Sequence, residues 1–139
     1  MALFIFTPTL SKLLRPLVSH AISAGFPSPA MDFDDVRIDL NSEVMRHPLS
    51  NYFARVKGTS MQGAGIDDGD LLVIDRSLEP GHGRIAVCFL DGEFTAKRII
   101  LENGFVFLAP ENPNYPRIKV TEENDFVVWG VVTFVVKAV

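Results

Sequence analysis

Residues 85–108 read IAVCFLDGEFTAKRIILENGFVFL, and two polar dipeptides divide this stretch into three apolar segments. The dipeptides Asp91-Gly92 and Asn103-Gly104 favour the tightest β-hairpin turns, because their residues tolerate the positive φ angles that such turns require. We therefore expect a three-stranded antiparallel meander in this part of the chain. The expected strands are 85–90, 93–101 and 105–108.

Further short strands are expected on both sides of the meander. Tyr52, Ala54 and Val56 alternate with Phe53, Arg55 and Lys57, which is typical of a half-buried strand that ends at Gly58. Continuous or nearly continuous apolar segments at 71–74, 118–120 and 126–136 predict three more strands. Many short strands separated by Gly and Pro turns indicate a mainly β fold, either a barrel or a sandwich.

The first 30 residues differ in character from the rest of the chain. They contain no acidic residue and four prolines, Pro8, Pro16, Pro27 and Pro29. Prolines limit 10–17 to one or two helical turns and hold the segment around Pro27 and Pro29 extended. We therefore predict a flexible arm at 1–30 and a folded domain at 31–139.

Composition excludes several classes of protein. The formal net charge of −4 makes the chain a poor candidate for binding DNA phosphates unaided. The single cysteine, Cys88, excludes an internal disulfide, fits a reducing cytoplasm and is expected to be buried. Apolar residues precede the basic residues near the N-terminus, the wrong order for a signal peptide. We expect no membrane span, because no apolar run is long enough for one.

Two residues are candidates for chemistry. Ser60 follows the predicted strand end at Gly58, where a hydroxyl can be presented to a cleft. If Asp91-Gly92 is a two-residue turn, the hairpin register places Lys97 opposite Ala86, on the same face as Thr95. Such a partly apolar environment can lower the pKa of a lysine enough for it to act as a base. Taken singly, each residue is more simply read as a turn serine or an exposed lysine.

The three histidines are weaker candidates for the base. His20 and His47 lie in segments rich in proline, and His82 lies in a glycine-rich loop. None has an acidic residue nearby in a recognisable triad pattern, so the lysine remains the stronger candidate.

Taken together, several short motifs resemble the UmuD branch of the LexA-like autoproteases. The similarity covers nearly the whole chain in order, and Ser60 and Lys97 both fall within the motifs that carry the catalytic dyad of that family. The motifs are Ala24-Gly25-Phe26-Pro27-Ser28-Pro29-Ala30, Arg37-Ile38-Asp39-Leu40-Asn41, Tyr52-Phe53, Gly58-Thr59-Ser60-Met61, Gly65-Ile66-Asp67-Asp68-Gly69-Asp70-Leu71-Leu72-Val73, Asp91-Gly92-Glu93-Phe94-Thr95-Ala96-Lys97 and Gly130-Val131-Val132.

The resemblance implies a LexA/signal-peptidase-like β domain and a serine endopeptidase that cleaves itself. Ser60 would be the nucleophile and Lys97 the general base, with Ala24-Gly25 as the bond that is cut. The backbone amides of Ser60 and Met61 are the candidates for the oxyanion hole. No cofactor and no metal is implied. The arm is too short, and too often broken by proline, for the DNA-binding helix-turn-helix of the repressors.

The resemblance also implies partners. It predicts a cytoplasmic homodimer whose cleavage is stimulated by a RecA filament on single-stranded DNA during the SOS response. The shortened form would bind a UmuC-like, Y-family catalytic subunit in an error-prone translesion polymerase, without binding DNA sequence-specifically itself. Three alternatives stay open: a non-catalytic binding module, a signal peptidase-like enzyme that acts in trans, and a fragment of a phage-type repressor.

Overall fold

The computed structural model of the protein describes residues 2–8, 11–16, 24, 25 and 37–139, and it forms two compact units. The larger unit comprises Met1–Pro8 and His47–Val139, and the smaller unit comprises Thr9–Arg46. The elements in chain order are β1 (Ala2–Phe6), β2 (Leu14–Pro16), β3 (Arg37–Asp39), α1 (Leu40–Val44), β4 (Asn51–Lys57), a 3-10 helix (Gln62–Ala64), β5 (Leu71–Asp75), β6 (Ile85–Leu90), β7 (Glu93–Glu102), β8 (Phe105–Ala109), β9 (Ile118–Val120) and β10 (Phe126–Val136).

The larger unit is built on one antiparallel sheet with the strand order β1-β4-β5-β10-β6-β7-β8-β9. β1 also lies close to β7, so the sheet is curled. The long strand β10 changes register twice and pairs with β6 along one part and with β5 along the other. β10 therefore joins the two parts of the sheet, and the predicted mainly β fold is confirmed.

The two predicted hairpin turns are present. Asp91 and Gly92 have φ angles of 48° and 90°, and Asn103 and Gly104 have φ angles of 53° and 78°. Two consecutive positive φ angles define the turn that matches the twist of antiparallel strands. The register that follows from the first turn pairs Leu90 with Glu93 and continues to Ala86 opposite Lys97, so this prediction is confirmed.

The core of the larger unit has two clusters of buried side chains. The strands β6 and β7 contribute to both, because alternate residues of a strand point to opposite faces. The first cluster contains Ala54, Val56, Met61, Ile66, Leu72, Ile74, Val87 and Ala96. The second contains Ala86, Cys88, Ile99 and Leu108.

The N-terminal residues differ from the sequence-based expectation. Ala2–Phe6 was assigned to the flexible arm, but it pairs with β4 along its whole length, from Ala2 opposite Lys57 to Phe6 opposite Phe53. Leu3 and Ile5 supply the physical reason, because both side chains pack against the first core cluster. The boundary between arm and domain at residue 30 stays a prediction.

The smaller unit contains a short antiparallel pair rather than the helical turns expected at 10–17. β2 pairs with β3, and the side chain of Asp39 caps α1 by accepting a hydrogen bond from the Asn41 amide at 3.2 Å. Pro16 ends β2, which agrees with the preference of proline for strand ends over helix interiors. Of the segment 25–29, which was predicted to be extended, residues 26–29 lie outside the described residues.

Within the part of the chain that the structure describes, no helix is long and apolar enough to cross a membrane.

The packing of β10 on β5 can be tested at Gly130. A Cβ atom added there would lie 2.6 Å from Ile74 Cγ2, so a Gly130→Ala substitution must displace a buried side chain. We expect the free energy of unfolding to fall by about 1–3 kcal/mol, the usual cost of overpacking a core. Urea unfolding monitored by fluorescence measures this loss. Gly81→Ala is the matched control, because nothing lies within 4 Å of its added Cβ; equal stability of both variants would contradict the close contact.

Candidate active site

Ser60 lies in the turn that follows β4. The chain leaves the strand through Gly58, which has a φ of 107° and donates a backbone hydrogen bond to Asp68 Oδ1 at 2.8 Å. A positive φ at this point favours glycine and turns the chain away from the direction of β4. Met61, which follows Ser60, is fully buried in the first core cluster. Ser60 is therefore held between a fixed turn and an anchored side chain.

Lys97 lies on β7 and points at the same place. Its Nζ donates hydrogen bonds to Ser60 Oγ and to Thr95 Oγ1, both at 2.9 Å, and to the Ala96 carbonyl at 3.2 Å. The exposed fractions of Ser60 and Lys97 are 1% and 5%. The structure thus brings the two predicted residues, 37 positions apart in sequence, into direct contact.

Lys97 has no acidic partner among the residues that the structure describes. Among the described residues, every salt bridge joins other groups, and none includes Lys97. The residues opposite and beside it on its face of the sheet, Ala86, Cys88 and Ile99, belong to the second core cluster. Burial consequently lowers the pKa of Lys97 below its ordinary value of 10.5.

Cys88 is buried, as predicted, and lies near Lys97. Burial raises the pKa of Cys88 to about 12, and the charge of Lys97 offsets this only in part. The thiol therefore stays protonated near neutral pH and does not supply a negative charge to hold a proton on Lys97. A neutral amine at hydrogen-bond distance from a serine hydroxyl is the arrangement that lets a lysine act as a general base.

The sequence suggested the backbone amides of Ser60 and Met61 as the oxyanion hole. No described residue accepts a hydrogen bond from the N–H of Ser60 or of Met61, whereas the Ser60 carbonyl accepts one from the Glu111 amide at 2.9 Å. Two adjacent N–H groups without an acceptor among the described residues have the chemistry that a tetrahedral oxyanion beside Ser60 would need. Their assignment stays a prediction.

A second loop holds the serine turn from the other side, and sequence analysis did not assign it a role. Besides the bond to Ser60, the Glu111 carbonyl accepts from the Gly63 amide at 2.6 Å, and Asn112 Nδ2 donates to the Thr59 carbonyl at 2.9 Å. The Glu111 carboxylate accepts a hydrogen bond from Arg98 Nε at 2.5 Å. Lys97 and Arg98, which are adjacent on β7, therefore contact Ser60 and the Glu111 loop, respectively.

Only one signal in the sequence points to this loop. The run Pro110-Glu111-Asn112-Pro113 contains residue types that hydrogen-bond to backbone groups in turns. Nothing in that run specifies that its partners lie at Thr59 and Gly63, because those contacts depend on the folding of the whole sheet.

The other predicted residues have different outcomes. Ala24 and Gly25 are exposed within the smaller unit, and their role as the bond that is cut stays a prediction. His47 has an acidic partner that was not expected: its Nδ1 lies 2.5 Å from Oδ2 of the buried Asp75. Oδ1 of Asp75 accepts hydrogen bonds from the amide and the hydroxyl of Ser77, and not from Ser60. His20 lies outside the described residues.

Among the residues that the structure describes, no group of three or more His, Cys, Asp or Glu side chains is placed to hold a metal ion.

Comparisons with known proteins identify the same type of domain. A family model described as Peptidase S24-like matches residues 16–133. Protein MucA of Salmonella typhimurium is 44% identical over 119 residues, which cover 85% of this chain and 81% of that protein. Protein ImpA of Shigella flexneri is 41% identical, with 88% and 83% covered. The LexA repressor of Bordetella parapertussis is 36% identical over 89% of this chain and 56% of its own length.

The lowered pKa of Lys97 has a consequence for stability. The unfolded chain holds the lysine proton up to about pH 10.5, whereas the folded chain releases it at lower pH. At pH values between the pKa of Lys97 in the folded chain and its pKa in the unfolded chain, the unfolded state binds more protons. Raising the pH in this range therefore favours folding. We therefore expect the stability of the wild type to increase relative to Lys97→Met as pH rises from 7 toward 10.5.

Urea unfolding of both proteins across this pH range measures the difference. The substitution Lys57→Met is the matched control, because Lys57 is an exposed lysine on β4. A constant difference between the wild type and Lys97→Met at all pH values would show that the buried amine keeps its proton in the fold.

Proposed function

Because the chain belongs to the S24-like peptidase family, we propose that it is a serine autoprotease that cuts its own Ala24-Gly25 bond with Ser60 and Lys97. The observation that carries the proposal is the 2.9 Å contact between Lys97 Nζ and Ser60 Oγ in a buried site. The absence of any salt bridge to Lys97 among the described residues supports it. A carboxylate partner would hold the proton on the amine near pH 7, and a protonated amine cannot act as a base.

The reaction needs only groups of this chain and water. Neutral Lys97 takes the proton of the Ser60 hydroxyl while Oγ attacks the carbonyl carbon of Ala24. The N–H groups of Ser60 and Met61 stabilise the oxyanion. As the bond to Gly25 breaks, the ammonium of Lys97 gives its proton to the leaving amine, and an ester joins Ser60 to Ala24.

Water completes the cycle. Lys97, again neutral, takes a proton from the attacking water and passes it to Ser60 Oγ as the ester bond breaks. This step leaves the free Ser60 hydroxyl and the Ala24 carboxylic acid, which ionises to the carboxylate and releases a proton to solvent. Thr95 assists both steps by orienting the amine, since its Oγ1 accepts a hydrogen bond from Nζ at 2.9 Å. The products are the fragment 1–24 and a shortened chain that begins at Gly25.

The biological role follows from the relatives. On their similarity we propose an SOS-response mutagenesis function, in which a RecA filament on single-stranded DNA stimulates cleavage. The shortened chain would then act in the cytoplasm as a homodimer, bound to a Y-family polymerase subunit for translesion synthesis.

The dyad is tested by substitution. We expect Ser60→Ala to abolish cutting, because it removes the nucleophile, and Lys97→Ala to slow it by about 10²–10⁴-fold, the usual contribution of a general base. Intact-mass spectrometry after incubation with a RecA filament detects the fragment that begins at Gly25. Lys119→Ala, an exposed lysine on β9, is the control and should cut at the wild-type rate.

Three outcomes would contradict the proposal. Wild-type rates in either dyad variant would exclude the pair as catalyst. No cutting by the wild type under any activating condition would favour a non-catalytic binding module. Cutting of added peptides or of other proteins, without loss of residues 1–24, would favour an enzyme that acts in trans.

The pH dependence of spontaneous cutting tests the base. Since Lys97 must be neutral to accept a proton, the rate should rise about tenfold per pH unit while most of the amine is protonated. It should then level off below pH 10.5, because burial lowers the pKa of Lys97. Rates are measured by mass spectrometry without an activator; a profile that is flat over the whole range from acidic pH to pH 10.5 would exclude lysine as the base.

A further inference from the structure

Strand β1 lies before the proposed cut but belongs to the sheet that lies after it. Ala2–Phe6 pairs with β4 along five residue pairs, and Met1–Pro8 forms one compact unit with His47–Val139. A cut between Ala24 and Gly25 would therefore break the only covalent link between a strand and its sheet.

Two side chains hold β1 in place in addition to the backbone bonds. Leu3 and Ile5 are partly buried against the first core cluster, whose members on β4 are Ala54 and Val56. The alternate residues Phe4 and Phe6 are 56% and 53% exposed. The site beside β4 therefore selects aliphatic side chains two positions apart and places little restriction on the residues between them.

Among the described strands, β1 is the only one that pairs with β4 on this side. Its opposite edge is paired with β5, and β1 is the outermost strand of the sheet. With β1 gone, the outer edge of β4 would present unpaired N–H and C=O groups beside an apolar surface. Exposed edges of this kind accept extended peptides by strand addition.

We propose that the outer edge of β4 is a strand-docking site, filled by Ala2–Phe6 in the intact chain and by a partner strand with the same alternating aliphatic pattern after cleavage. The change in occupant rests on the proposed self-cleavage, whereas the docking site itself does not. The Arg55 and Lys57 side chains are exposed on β4, opposite Phe4 and Ala2, so acidic residues at the outward positions of a partner strand would add favourable pairs.

Loss of the covalent link is what makes the exchange possible. While β1 is part of the chain, its effective concentration at β4 is of millimolar order, and a partner at lower concentration cannot displace it. After the cut, β1 is a separate peptide with five residue pairs and two partly buried side chains. Contacts this few hold a free peptide only weakly, so β1 leaves the edge on dilution and binds again only when it is supplied in excess.

The docking site can be tested without any cutting, in a Ser60→Ala background. The probe is a fluorescent peptide of residues 1–8, MALFIFTP, followed by anisotropy. Full-length Leu3→Asp/Ile5→Asp should vacate the edge and bind the peptide at least about tenfold more tightly than the parent chain, in which the tethered strand competes. The matched control, Phe4→Asp/Phe6→Asp, changes only the exposed positions, keeps Leu3 and Ile5 in place and should bind the peptide no more tightly than the parent.

Hydrogen exchange along Asn51–Lys57 reports on the same edge. Protection should fall in Leu3→Asp/Ile5→Asp and return when the peptide is added. A chain that lacks residues 2–8 provides the second variant if the aspartates impair folding. Equal binding by all the chains, or undiminished protection of β4 in the vacated variants, would overturn the proposal.

A last comparison separates the docking site from the proposed function. The cut wild-type protein, freed of its fragment, should bind the peptide as the vacated variants do. Binding by those variants, with no cutting of the wild type, would retain the docking site and reject self-cleavage. Cutting of the wild type, with no binding of the peptide by the cut chain, would retain self-cleavage and reject the docking site.

Discussion

The site depends on one constraint: an amine is buried without a negative charge beside it. Lys97 is 5% exposed, and its hydrogen-bond partners are two hydroxyls and one carbonyl. These dipoles satisfy the amine but stabilise a positive charge less than a carboxylate would. The same contacts therefore keep the side chain in place and leave it able to lose its proton.

The strand order of the sheet explains how Ser60 comes into contact with this buried amine. Ser60 follows β4 and Lys97 lies on β7, and β5, β10 and β6 stand between these strands in the sheet. The curl of the sheet brings the two ends of this series together, and the bulged β10 spans its middle. Glu111 adds a direct link, since its backbone bonds Ser60 and Gly63 and its carboxylate bonds Arg98, the residue after Lys97.

Local sequence predicted the parts of this arrangement that local physics determines. The Asp91-Gly92 turn fixed the hairpin register, so the position of Lys97 opposite Ala86 could be read from the sequence. The contact between Ser60 and Lys97 could not, because it depends on strands that are distant in sequence, and only the resemblance to a family suggested it. β1 was missed since a five-residue apolar segment before a proline carries no periodic signal, and the pairing of His47 with Asp75 was missed for lack of any local cue.

A dyad already in contact also determines where the reaction can be controlled. Ser60 and Lys97, the proposed nucleophile and base, are both buried, are held by the same sheet and need no rearrangement to meet. The proposed reaction further requires that the Ala24-Gly25 bond, which belongs to the smaller unit, be bound at Ser60. An activator that changed only the dyad would have little left to improve. For the proposed reaction, control would then lie in the presentation of the arm to Ser60, and an activating filament that favours this presentation would accelerate cutting without contributing any catalytic group.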